Sequence, residues 1–139
     1  MLTTLALGAG AMFLVQVATS VAFFLVRGNM GPVPTSMFQA PNGIGEMAIL
    51  VVAVALIAPL IEEMIFRGAI YLAVSERSGR AYAVLISSFL FALSHMDPIS
   101  FLPLFGLGLI LGWCRSRSGS ILPSYILHAL NNFAAILFL

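Results

Sequence analysis

The sequence predicts an all-α fold, a polytopic transmembrane helix bundle with about five membrane segments. Composition, segmentation and the placement of charge each point there. Of the 139 residues 61% are hydrophobic and 8% are charged, whereas a soluble domain usually carries about 25% charge. Mean hydropathy is +1.10. The apolar residues fall into five runs separated by short stretches rich in Gly, Pro, Ser or Arg. Net charge is +1, which leaves no basic field for nucleic acid. The bilayer is therefore the expected partner. The single Cys114 excludes an internal disulfide and any multi-cysteine metal site, and reads as a small apolar filler.

The first segment covers about 3–26 and ends at Arg27. The N-terminal MLTT carries no positive side chain, and the run after it is too long for a signal-peptide core of roughly 7–15 residues, so it reads as a retained span. GNMGPVPTSMFQAPNG (28–43) follows as a surface loop or re-entrant lip. The second segment, about 46–74, is long enough to cross with tilt. Pro59 lies inside it and is expected to kink it. SERSGR (75–80) reads as a turn. The third segment, about 81–96, stops at Asp97-Pro98, because proline disfavours helix at the residue before it. The fourth, about 99–114, is short for a full span. RSRSG (115–119) is the next turn, and the fifth segment covers about 120–139. The chain divides into an N-terminal helix and loop (1–45) and a core of four helices (46–139).

Arginine placement sets an expected orientation. Arg77, Arg80, Arg115 and Arg117 fall in turns on the N-terminal side, against Arg27 alone on the other. That bias places the N-terminus in the cytoplasm. Tyr71, Tyr82 and Trp113 stand beside those turns and match an interfacial aromatic belt.

Glu62, Glu63 and Arg67 interrupt the second apolar segment. A charged residue at the bilayer centre costs about 2.5–3.5 kcal/mol on insertion scales. An ionisable group at membrane depth is therefore a functional-site hypothesis. At about 1.5 Å rise per residue, Glu62 lies roughly 18–20 Å from the SERSGR end. His95 lies roughly 21–23 Å from it, and His128 and Asn132 roughly 13–20 Å beyond RSRSG. Three helices thus bring their strongly polar groups to one slab.

Glu63 and Arg67 stand four apart with the acid first, the favourable order for a helical ion pair. Glu62 points about 100° away and needs another partner. It is the candidate general base facing a wet cavity. His95 shares a face with Phe91, and His128 with Asn132. The latter two carry donors able to stabilise an oxyanion. Asn131 points elsewhere and reads as packing glue. Ser87, Ser88 and Ser94 have no base at helical spacing, so a serine nucleophile is not expected. Gly108 and Gly112 make a small-xxx-small pair for close packing within the bundle.

Glu62-Glu63-Met-Ile-Phe-Arg67 reads EExxxR, Phe91-Ala-Leu-Ser-His95 reads FxxxH, and His128-Ala-Leu-Asn131-Asn132 reads HxxxN. These motifs, in this order and each in an apolar segment, resemble the CPBP family of intramembrane proteases. That family includes the type II CAAX prenyl endopeptidases and bacterial bacteriocin-processing and self-immunity relatives. The resemblance covers about 46–139. It implies that Glu62 activates water, with His95 helping to hold it, while His128 and Asn132 steady the oxyanion. Glu63 and Arg67 then form the supporting pair. The residues favour no obligatory metal, since Asn is a poor zinc ligand and no HExxH appears; were zinc bound, Glu62, His95 and His128 would be the ligands, leaving an open fourth position. The CAAX proteases carry additional N-terminal helices, and a single apolar segment precedes the core here. The expected substrate is therefore a small peptide or membrane-protein tail, cut in a bacterial cell membrane, rather than a prenylated protein. Two other classes stay open: a non-catalytic binding or immunity protein that keeps the motif residues, and a proton relay built on buried Glu and His.

Overall fold

The computed structural model describes residues 1–27 and 41–137, with side-chain surroundings for all of these except 19, 20 and 22–27. Most of the stretch read as a loop, 28–43, lies outside the described residues. The described residues form five helical rods and no strand. They are α1 (Leu2–Arg27), α2 (Ile44–Ser78), α3 (Arg80–Ser94), α4 (Phe101–Ser118) and α5 (Leu122–Ile136).

α2 is the one helix among the described residues long and apolar enough to cross a bilayer. Its 35 residues rise about 52 Å, more than the hydrocarbon core of about 30 Å. Only 11% of its most apolar window is buried, so it is not the core helix of a soluble protein. Leu2–Ala18 and Arg80–Ser94 are shorter apolar stretches. The bundle is inverted in polarity. Leu56, Ile57, Leu60, Ile61, Phe89 and Leu93 face outward, whereas Glu63, Arg67, Ser87, Ser88, Ser124 and His128 are buried. Exposed apolar area on this scale needs a lipid surface to cover it.

α2 begins where Glu46 reaches back to accept a hydrogen bond from the Asn42 amide at 2.8 Å. The expected distortion at Pro59 takes the form of a π-helical stretch, Val51–Ile57, that runs into it without ending the helix. Proline's ring would clash with the carbonyl four residues back in α geometry. The wider π turn relieves that contact. A second π stretch, Met64–Ile70, follows the carboxylates. The helix then runs on to Ser78, so SERSGR is not a turn throughout; Gly79 alone breaks it, at φ +86°. Likewise α4 continues to Ser118, and Gly119 ends it in the left-handed region at φ +70°. Both polar stretches hold good helix formers, and arginines in a last turn suit the helix dipole. Only the glycine in each can adopt the reversing backbone. α3 stops at Ser94, two residues early, with Met96 at φ +51°. Beyond it Asp97 accepts from the Ile99 amide and the Ser100 hydroxyl. Those two bonds hold its carboxyl below the usual carboxylate range.

α3 and α4 pack face to face through the small residues. A Cβ on Gly108 would lie 2.9 Å from Ser88 Cβ and 3.1 Å from its Cα, and one on Gly112 would lie 3.1 Å from a Val84 methyl. The core joins Phe66, Phe91, Leu107, Ile110, Leu111, Cys114 and Leu127, with α1 laid against it through Leu5, Met12 and Val15. Cys114 is fully buried there. Tyr71 departs from the aromatic belt: it is 4% exposed, with the Arg115 guanidinium 5.2 Å over its ring. Tyr82 and Trp113 stay at the surface, with Arg117 6.0 Å over the Trp113 ring.

Gly108→Val should destabilise the bundle by about 1–3 kcal/mol, because Ser88 backbone cannot retreat. Gly10→Ala, which meets open space, should be neutral or slightly stabilising. Reversible unfolding in micelles measures both.

Candidate active site

Four rods supply the site. α2 brings Glu62, Glu63 and Arg67; α3 brings Phe91 and His95; α4 brings the Gly108 carbonyl; α5 brings His128 and Asn132. At the centre, Arg67 Nη1 lies 3.0 Å from Glu63 Oε1, and both side chains are fully buried. That contact is ionic, off the line a hydrogen bond requires. Arg67 Nη2 donates to the Gly108 carbonyl at 3.1 Å. The Arg67 guanidinium also lies 4.6 Å from the Phe91 ring centroid. Glu63 Oε2 and Arg67 Nε find no hydrogen-bond partner among the described residues. A buried pair left this incompletely satisfied is poor evidence for stability and better evidence for positioning.

His128 Nδ1 donates to Glu63 Oε1 at 3.2 Å. Its Nε2 faces Glu62 Oε2 at 3.4 Å. A neutral imidazole has one N–H, and Glu63 takes it. The adjacent carboxylates are thus different in kind: Glu63 is sealed, whereas Glu62 keeps 29% of its side-chain surface open.

His95 closes α3, and its Nδ1 donates to the Phe91 carbonyl at 2.8 Å. A carbonyl can only accept, so this ring also holds its proton on Nδ1 and leaves Nε2 free. His95 is half-buried and stands beside Phe91. The Phe91 ring meets His95, His128 and Phe66 edge to face, with centroids 4.9, 5.4 and 5.4 Å away. The structure thus ties His95 to the site through Phe91 rather than by a hydrogen bond to Glu62. Among the described residues no three His, Cys, Asp or Glu side chains gather closely enough to hold a metal ion. Glu62, His95 and His128 therefore do not form a preformed ligand triad.

Asn132 lies one turn beyond His128, and its Nδ2 donates to the Val54 carbonyl at 3.0 Å. The second N–H of that carboxamide keeps donor capacity for a ligand. Asn131 accepts from Gln16 of α1 at 3.3 Å and bonds to Asn132 Oδ1 at 3.4 Å.

The two π stretches explain why carbonyls of α2 are open to such donors. The Ala58 amide reaches back five residues to Ala53, bypassing Val54. The Tyr71 amide reaches Phe66 and Gly68, bypassing Arg67. Each bypassed carbonyl is taken by a side chain of another rod: Val54 by Asn132, and Arg67 by Arg115 Nε at 3.1 Å. Short π segments recur at functional sites. Neither the carbonyls nor Arg115 stood out in the sequence, because nothing in residue type marks a bypassed carbonyl.

These features define a membrane-embedded helical protein with a carboxylate–imidazole site inside an apolar shell. A family model described as type II CAAX prenyl endopeptidase Rce1-like matches residues 44–134. The chain belongs to that family, whose members are membrane-embedded proteases. The match spans α2 to α5 and leaves out α1. No curated protein and no solved structure shows a significant match.

Phe91→Ala should lower stability by about 3–5 kcal/mol through the cavity it leaves. Asn132→Ala should cost only about 0.6–1.7 kcal/mol, the range for interhelical hydrogen bonds in a membrane. Unfolding free energies in bicelles check both values.

Proposed function

We propose that the protein is a multi-pass intramembrane endopeptidase that hydrolyses a peptide bond with a water activated by Glu62. The single observation that carries this reading is the asymmetry of the two carboxylates within a chain of a protease family. Glu63 is sealed against Arg67 and His128, and Glu62 is open beside His128 Nε2. A general base must reach its water, and only Glu62 of the two can.

In this mechanism Glu62 takes a proton from water, with the free Nε2 of His95 holding the water from the α3 side. The oxygen bonds to the scissile carbonyl carbon. The developing oxyanion receives the second N–H of Asn132 and, when protonated, Nε2–H of His128. Glu62 returns the proton to the amide nitrogen as the C–N bond breaks. Glu63 and Arg67 hold His128 in register and do not touch substrate. The reaction needs no metal in this scheme.

The outward apolar faces of α1, α3 and α5 support the multi-pass arrangement. Arg77 and Arg80 at the α2–α3 junction, with Arg115 and Arg117 in the last turn of α4, support a cytoplasmic location for those ends and for the N-terminus. The family is described by its action on prenylated CAAX proteins. The substrate proposed here is a small peptide or a membrane-protein tail, with prenyl-peptide cleavage as the competing specificity.

Glu62→Gln should reduce peptide cleavage in reconstituted vesicles by at least about 10²–10⁴-fold while the protein still folds. Wild-type turnover in that variant would remove Glu62 from the chemistry, whereas wild-type-like protection in cells by Glu62→Ala or His95→Ala would favour a binding or immunity role. Cleavage should also survive a strong chelator; its loss there, restored by zinc, would assign the site to metal-assisted hydrolysis.

A further inference from the structure

We propose that Arg115 is a positioning residue for this site, acting from the end of α4 through the backbone of Arg67; the proposal rests on the reading of Glu62 and His128 given above. In the sequence Arg115 belongs to a polar turn and counts only towards membrane orientation. In the structure it points inward. Its Nε donates to the Arg67 carbonyl at 3.1 Å, and its guanidinium lies 5.2 Å over the Tyr71 ring. The Tyr71 amide bypasses that same carbonyl. Arg115 therefore supplies the hydrogen bond that an α-helix would have made internally, and so holds the π stretch Met64–Ile70 in its wider form.

That grip has consequences along a continuous chain of contacts. α4 holds residue 67 twice, by Arg115 on its backbone and by the Gly108 carbonyl on its side chain at 3.1 Å. Arg67 Nη1 meets Glu63 Oε1 at 3.0 Å, Glu63 accepts from His128 Nδ1 at 3.2 Å, and His128 Nε2 faces Glu62 at 3.4 Å. Without the bond from Arg115, the Arg67 carbonyl recovers a partner by slipping to the α register. Such a slip rotates Arg67 about the helix axis and withdraws the charge that orders Glu63 and His128. A displacement of about 1 Å in a positioned group can cost a hundredfold in rate. Lysine keeps a donor on a long stem but lacks the planar fork, so it substitutes in part. Arg117, two residues on and stacked over Trp113 at 6.0 Å, is the matched control.

The test uses the full chain in lipid vesicles, comparing wild type, Arg115→Ala, Arg115→Lys and Arg117→Ala. Kinetic constants are read on a cleaved peptide. In parallel, ¹⁵N-histidine spectra are recorded; the chain holds only two histidines, so a His95→Gln variant assigns both signals. Arg115→Ala should lower kcat by about ten- to a hundredfold with KM little changed. His128 should lose its single Nδ1–H tautomer while His95 keeps its own. Arg115→Lys should restore most of both, and Arg117→Ala should alter neither. Arg115→Gln, with a shorter stem, replaces the alanine variant if that one does not fold, with the same expected losses. Unchanged kcat together with an unchanged His128 signal in Arg115→Ala would overturn the proposal, as would equal losses in Arg117→Ala. A wild type that cleaves no peptide counts against Glu62 hydrolysis, and the His128 signal then decides the role of Arg115 alone.

Discussion

The buried ion pair between Glu63 and Arg67 is the constraint from which the rest of the site follows. The two side chains sit at 0% exposure inside a lipid-facing bundle. Removing ions from water costs several kcal/mol each even after relaxation, and their mutual attraction repays it only with good geometry. The pair's own contact is off the hydrogen-bond line and leaves Glu63 Oε2, Arg67 Nε and Arg67 Nη1 without hydrogen bonds among the described residues, so neighbours supply the compensation: the Gly108 carbonyl and the Phe91 ring on Arg67, and His128 on Glu63. Each neighbour comes from a different helix. The pair therefore fixes α3, α4 and α5 around α2, and a packing requirement becomes the frame of a site. It also separates two neighbouring glutamates into unlike roles. Glu63 is consumed by the frame, and Glu62, about 100° around the helix, is left facing outward beside an imidazole nitrogen.

Backbone geometry does comparable work. α2 could have been regular throughout except at Pro59. Instead two π stretches bracket the carboxylates, and each offers one carbonyl to a donor from elsewhere. In lipid no water is at hand for an open carbonyl, so each must be filled by protein. Asn132 and Arg115 fill them, and in doing so pin α5 and α4 to either side of the Glu62–Glu63 step. Asn132 thereby spends one N–H on the frame.

Much of the frame was legible in the residues. The five apolar runs became five rods, and Gly108 and Gly112 became the contact between α3 and α4, because hydropathy and residue size act locally and leave a direct trace. Spacing of four likewise foretold which motif residues share a face. Other features carry no such trace. SERSGR and RSRSG looked like turns by composition, yet helix continues until the glycine, since polar residues at a membrane surface need not leave the helix. Tyr71 and Arg115 looked interfacial, yet they cover one another inside the bundle. The His95 side chain bonds its own helix, which no motif reveals. Register changes from α to π, and the carbonyls they open, depend on which amide pairs with which oxygen, a tertiary outcome invisible in residue identity.

The central claim is that Glu63 and Arg67 are coupled inside the bundle and organise what surrounds them. A double-mutant cycle on Glu63→Gln and Arg67→Met, read as unfolding free energy in bicelles, measures that coupling directly. The account predicts an interaction of about 2 kcal/mol or more that persists at high salt, because a buried pair is poorly screened. A coupling below about 0.5 kcal/mol, or one that vanishes with added salt, would contradict it.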